Sequence, residues 1–227
     1  MTMNDYLNKK KDYLNKKKEF EFYILNINKQ TLDYDEIIDI FLDVIINPFV
    51  YEENNYTFVL SNIINNDVSQ VVSAIVEDFG YNLKVFRSNK IYTQNMDDFN
   101  ILKDSYLKNQ VYINDNYVNI QKLLYAILEK NMDDLQTIKP VILRKINNDS
   151  KLYEIVNGMF VNDLNVCKTA NYVYMHRNTI NNKLITIKEE TGLDIQKFQD
   201  AVMLYVLLKK KNIIFIVIDI MYSISWL

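Results

Sequence analysis

The chain has 227 residues, of which 49% are apolar and 13% aromatic, enough to bury a substantial core in one large or two small domains and to exclude bulk disorder. Its formal net charge of −3 excludes nucleic-acid binding driven by overall charge, so any such binding needs a local basic patch. A single cysteine, Cys167, cannot form an internal disulfide, which fits a reducing cytoplasm.

Residues 5–18 are a tandem heptad, Asp-Tyr-Leu-Asn-Lys-Lys-Lys repeated twice. Tyr6, Leu7, Tyr13 and Leu14 recur every seven residues, so a solvated basic helix is expected, with lysine contacts to DNA phosphates or an anionic lipid surface as the functional alternative. The segment lacks the apolar run of a signal peptide, and secretion is not expected. Residues 20–25 and 56–63 read as strands, and 34–46 carries Ile37, Ile38, Phe41, Leu42 and Ile45 at helical spacing. A helix over 68–79 turns Val71, Val72, Ile75, Val76 and Phe79 inward and is closed by Gly80, after which 83–86 is again strand-like. Strands alternating with helices predict a small sheet with helices packed on it.

From residue 96 the pattern becomes helical, with helices expected over 96–108, 118–130, 133–147 and 152–161. Pro140 is expected to kink or split the third. The fold class is therefore α+β, mainly helical: a small α/β region followed by a helical C-terminal half. The domains are expected as a basic helix (1–19), the α/β region (20–95), a helical connector (96–148), a DNA-binding domain (149–210) and an apolar tail (211–227). The tail is too short to span a membrane and is broken by Asp219, so a packed core or dimer-interface element is favoured over a poorly structured, aggregation-prone extension, and membrane contact is expected least.

The most informative stretch runs from 165 to 194. Asn165 is a good N-cap, and Val166, Thr169, Ala170 and Val173 line one face of a two-turn helix, with Ala170 small where a second helix would cross. The pattern breaks at Tyr174-Met175 and restarts with Ile180, Leu184 and Ile187. Two short helices joined by a tight turn are the outline of a helix-turn-helix DNA reader. Lys168, Thr169, His176, Arg177, Asn178, Thr179, Asn181, Asn182 and Lys183 form the candidate DNA-binding set. Within it Arg177, Asn178, Asn181 and Asn182 suit base edges, while Thr179, Lys183 and Lys168 suit phosphates. His176 would start the recognition helix, expected over 177–188, and Thr169, Ala170, Tyr174 and Leu184 would hold the two helices at their crossing angle. Cys167 is expected to be packed.

The same residues carry a family resemblance. Residues 165–194 resemble the C-terminal helix-turn-helix of the PucR/CdaR regulators, whose signature is roughly N-x-x-x-T-A-x-x-L-Y-I-H-R-N-T-L-x-Y-R-L-x-K-I-x-x-x-T-G-x-D. Asn165, Thr169, Ala170, Tyr174, His176, Arg177, Asn178, Thr179, Leu184, Ile187, Thr191, Gly192 and Asp194 match without a gap. The chain departs where the family has Tyr-Arg, here Asn182-Lys183, and where it has a basic residue, here Thr186. The resemblance implies a sequence-specific transcriptional regulator that binds double-stranded DNA, and the few cations of 165–188 call for two copies on one duplex, favouring a homodimer, or for a partner that supplies more charge. It also implies a degenerate relative of the GGDEF cyclase fold in the region before the helix-turn-helix.

No catalytic constellation is visible. The glycines are Gly80, Gly158 and Gly192, so the Gly-Gly turn of a cyclase is missing, and no phosphate-cradling loop occurs. His176 is the one histidine, so a zinc site would rest on His176 and Cys167 alone. Asp97-Asp98 and Asp133-Asp134 begin predicted helices, where carboxylates complement the dipole. No enzyme activity, cofactor or metal is expected. The alternative to a DNA reader is a non-enzymatic protein-interaction module that retains the helix-turn-helix fold.

Overall fold

Phe20, Phe22, Tyr23, Ile24 and Leu25 are all fully buried. A strand with no solvent face lies inside a sheet that is covered on both sides. The computed structural model describes residues 3–209 except 29, 31, 64–66 and 82, and divides the chain into two units, Met1–Asn131 and Met132–Leu227. The expected apolar tail, 211–227, lies outside the described residues.

The first unit runs α1 (Met3–Asn15), β1 (Glu19–Asn26), α2 (Tyr34–Asp43), β2 (Phe49–Glu53), β3 (Tyr56–Ser61), α3 (Val68–Phe79), β4 (Lys84–Arg87), β5 (Ile91–Tyr92), α4 (Met96–Asn109), β6 (Tyr117–Val118) and α5 (Ile120–Lys130). The sheet order is β2-β3-β1-β4-β6, antiparallel except for the parallel pair β4 and β6. Ile24 sits opposite Phe58 on one side and Phe86 on the other. The β1–β4 frame has the βαββαβ order of the ferredoxin-like motif, and α4 is the crossover that returns the chain to β6. Between the pairs Tyr23–Arg87 and Phe20–Ile91, two residues of β1 face three on the other chain segment, so a bulge separates β4 from β5. The Ser88 hydroxyl fills the gap by accepting the Phe22 N–H at 2.9 Å.

One sheet face, with Tyr23, Leu25, Val59 and Val85, packs against Ile37, Ile38 and Phe41 of α2 and Val72 and Ile75 of α3. The Asp67 carboxylate caps α3 by accepting the Ser69 N–H at 3.0 Å, and Gly80 closes it at φ 68°. On the other face the Phe22 ring lies 4.7 Å from Phe99 of α4, and Phe86 stacks on Tyr106 at 4.5 Å. Glu21, 3% exposed within β1, accepts from the Arg87 guanidinium at 2.9 Å and from the Tyr23 hydroxyl at 2.6 Å. Burial, reinforced by the Glu21 charge, pushes the Tyr23 phenol far above its ordinary range.

Two expectations are corrected here. α1 is not solvated on every side: Leu14 is buried, and the Tyr13 hydroxyl donates to the carbonyls of Asn47 at 2.7 Å and Leu60 at 3.0 Å, while Lys9, Lys11, Asp12 and Asn15 stay exposed. Lys10 sits 4.3 Å over the Tyr51 ring and donates to its hydroxyl at 2.9 Å. The apolar stripe of the heptads was too narrow to show that β2 and β3 would accept it. The region after residue 96 is also not wholly helical, because β6 adds an edge strand held by hydrogen bonds that its two residues do not advertise in sequence.

The second unit is helical: α6 (Asp133–Ile142), α7 (Arg144–Asn148), α8 (Ser150–Val161), α9 (Val166–Tyr172), α10 (Arg177–Thr191) and α11 (Phe198–Leu208). Pro140 lies in the last turn of α6, where it removes one N–H, and the helix breaks at Leu143. The division between the units falls inside the segment 96–148, so α4 and α5 belong to the first unit and α6 and α7 to the second. Among the described residues, no helix is long and apolar enough to cross a membrane.

Candidate nucleic-acid interface

α8 is the platform on which the helix-turn-helix is built. The Asp149 carboxylate caps it by accepting the N–H groups of Lys151 at 3.0 Å and Leu152 at 3.2 Å, and Leu152, Ile155, Val156 and Met159 turn inward. α9 crosses α8 at Gly158. A Cβ on that glycine would stand 3.1 Å from Thr169 Cγ2 and 3.3 Å from both Tyr172 Cδ1 and Val173 Cγ1. Thr169 fixes the crossing, for its hydroxyl donates to the Gly158 carbonyl at 3.2 Å. The sequence placed the close crossing at Ala170, which is indeed buried, but the backbone approach is made by Gly158. One of three glycines in the chain, set inside a helical apolar pattern, was the available signal.

Asn165 starts α9 by accepting the Lys168 N–H at 3.0 Å. The helix ends in a Schellman turn, with the Met175 N–H on the Ala170 carbonyl at 2.9 Å and the Tyr174 N–H on the Asn171 carbonyl at 3.3 Å. Tyr174 occupies the left-handed position of that turn, φ 52°, where glycine is usual and a larger residue costs about 1 kcal/mol. Its side chain is 96% exposed. Tyr174 therefore does not hold the helices together, as the sequence suggested, because the left-handed turn swings it away from both.

His176 is the N-cap of α10, accepting the Asn178 N–H on Nδ1 at 3.2 Å, which leaves the ring proton on Nε2. Ile180, Leu184 and Ile187 face the interior. At the far end the buried Thr191 hydroxyl donates to the Ile187 carbonyl at 2.7 Å and accepts the Leu193 N–H at 3.1 Å, and Gly192 takes φ 74°. Asp194 closes the stop: its N–H reaches Asp200 at 3.0 Å and its carboxylate pairs with Lys188 at 3.2 Å. The Thr-Gly-x-Asp of the sequence is thus a helix terminator built from local hydrogen bonds.

The opposite face of α10 presents Arg177, Asn178, Thr179 and Asn182 to solvent, with Asn181 half-buried. Residues 177, 178, 181 and 182 share one side of a helix by their spacing. Lys168 and His176 are also exposed. Three expectations change. Thr169, included among the DNA-binding residues, is fully buried and bonded to Gly158, so it cannot reach a duplex. Cys167 is exposed rather than packed. Lys183 lies 3.9 Å from Asp149, an intramolecular partner 34 residues away in sequence that no local pattern could reveal. With Lys188 paired to Asp194, Lys168 and Arg177 are the cations of 165–188 without an ion pair among the described residues.

Three packed helices, the last presenting a polar face beside a tight turn, define a helix-turn-helix domain. Residues 152–209 match the PucR C-terminal helix-turn-helix domain. Over 67 residues the chain is 33% identical to the carbohydrate diacid regulator of Escherichia coli (strain K12). That match covers 30% of this chain and 17% of the regulator, so it spans a minor part of that protein's length. Among solved structures, the regulator of polyketide synthase expression from Bifidobacterium adolescentis is similar at 16% identity and a TM-score of 0.40, covering 89% of this chain and 84% of that one.

Proposed function

We propose that the chain is a sequence-specific DNA-binding transcriptional regulator of the PucR/CdaR type, working in the cytoplasm and reading the major groove with α10. The observation that carries this is the division of α10 into two faces. Ile180, Leu184 and Ile187 lock it into the domain, while Arg177, Asn178 and Asn182 stand free on the other side with side chains suited to guanine and adenine edges. With Arg177 at the base edges, Lys168 is the exposed lysine of 165–188 left for phosphates without an ion pair among the described residues, so this segment neutralises few charges per copy. Useful affinity then calls for two copies on one duplex, which favours a homodimer. The βαββαβ frame supports reading 20–95 as a degenerate GGDEF-like region, and no residue in the chain is assigned a catalytic role.

The second reading is a protein-interaction module that keeps the fold without reading DNA. It is favoured by the ion pairs that occupy Lys183 and Lys188 within the domain. Fluorescence anisotropy separates the two, using a duplex enriched by the protein from a randomised pool and titrated at two salt concentrations. Arg177→Ala is expected to weaken binding to the enriched duplex about tenfold or more and to relax its preference over a scrambled duplex of the same length. Equal affinity of Arg177→Ala and parent at both salts removes α10 as the reading helix.

A further inference from the structure

Tyr174 is the most exposed aromatic residue described in the helix-turn-helix, and it sits where a tyrosine serves folding least. The ring is 96% exposed, so it contributes nothing to the core. Its backbone is at φ 52° in the Schellman turn between α9 and α10, a position that glycine or asparagine fills with less strain. A side chain that costs strain and gains no packing has its use outside the fold. The exposed side chains that follow it are His176, Arg177, Asn178 and Thr179, all hydrogen-bonding groups and none of them acidic. Such a surface suits an anionic polymer rather than an apolar protein face.

We infer that Tyr174 is a DNA-backbone contact, its phenol hydroxyl donating to a phosphate oxygen beside the groove entered by α10. The inference rests on the reading of α10 as a major-groove helix. In that docking the first residues of the recognition helix reach the base edges, and the turn leading into the helix lies at the groove wall. Tyr174 is in that turn, two residues before the N-cap, and outside the helical face that carries Arg177, Asn178, Asn181 and Asn182. Its hydroxyl is a neutral donor, so it positions the helix on the duplex without releasing a counterion. Of the side chains that follow it, His176 can add a second donor, since Nδ1 is engaged by the Asn178 N–H and Nε2 carries the proton.

The test uses the full chain, a duplex enriched by the parent from a randomised pool and a scrambled duplex of the same length. Tyr174→Phe keeps the ring and removes the hydroxyl. It is expected to lower affinity about tenfold on both duplexes, with the salt slope and the thermal midpoint unchanged. Tyr174→Asn, compatible with the left-handed turn, is expected to raise the thermal midpoint yet bind no better than Tyr174→Phe. If Tyr174→Phe binds like the parent while Arg177→Ala is weakened, Tyr174 is not a contact and the reading of α10 stands. A loss confined to the enriched duplex makes it a base contact and overturns the phosphate assignment. Failure of the parent to enrich any duplex sinks the α10 reading and this inference with it.

Discussion

Adding one methyl group at Gly158 tests the packing that orients α10. In a helix interior, glycine to alanine is worth about 1 kcal/mol in favour of the variant, because alanine loses less backbone entropy on folding. Here the new Cβ would meet Thr169 Cγ2 at 3.1 Å and Tyr172 Cδ1 and Val173 Cγ1 at 3.3 Å. Two of the three cannot retreat freely, for Thr169 is buried and bonded to the Gly158 carbonyl and Val173 is buried beside it, whereas Tyr172 is exposed. Overpacking of this kind costs about 1–3 kcal/mol, so Gly158→Ala should be destabilised by about 1 kcal/mol net. For a unit of this size that is a fall of about 4–8 °C in the midpoint of its thermal transition, followed by circular dichroism on the full chain. Thr169→Ser removes the nearest methyl and keeps the hydroxyl. The double variant should therefore be more stable than the sum of the two single changes by about 0.5 kcal/mol or more. A Gly158→Ala protein as stable as the parent, or strict additivity in the cycle, would refute the close crossing as the element that sets α9 against α8.

Thr191→Val keeps the shape of the side chain and deletes its hydroxyl, leaving the buried Leu193 N–H without its 3.1 Å acceptor. A loss of about 1–3 kcal/mol in urea denaturation is expected, and an unchanged midpoint would show that another group satisfies that donor. Tyr13 gives a pH dependence. Burial pushes its phenol up to about 12 from an ordinary 10, so its neutral form is favoured in the folded state. The stability it contributes is full below pH 10 and is lost as pH rises from 10 through about 12. The urea midpoint should accordingly fall more steeply over that range in the parent than in Tyr13→Phe, and parallel curves would place the phenol in water.

The sequence by itself determined the elements whose signals are local. Asn165, His176, Gly192 and the Thr191 hydroxyl act on backbone groups within a few residues, so both helices of the helix-turn-helix and their stops could be read from 165–194. The helix Val68–Phe79 and its Gly80 cap were legible for the same reason. An apolar run identified β1, because a strand buried on both faces has no solvent side to break the run, and helical periodicity identified the inward face of α10.

Tertiary structure alone decided what depends on a distant partner. The two-residue strands β5 and β6 carry no periodicity and exist because β1 and β4 offer hydrogen bonds. α1 became a packed helix because β2 and β3 present Tyr51, and carbonyls such as that of Leu60, to it. In the site the decisive facts were exposures and partners: Thr169 turned inward onto Gly158, Tyr174 swung outward by a positive φ, and Lys183 met Asp149. A helical repeat fixes which residues share a face. Which of them touch solvent is settled by where the neighbouring helix crosses, and that crossing is a property of the assembled domain.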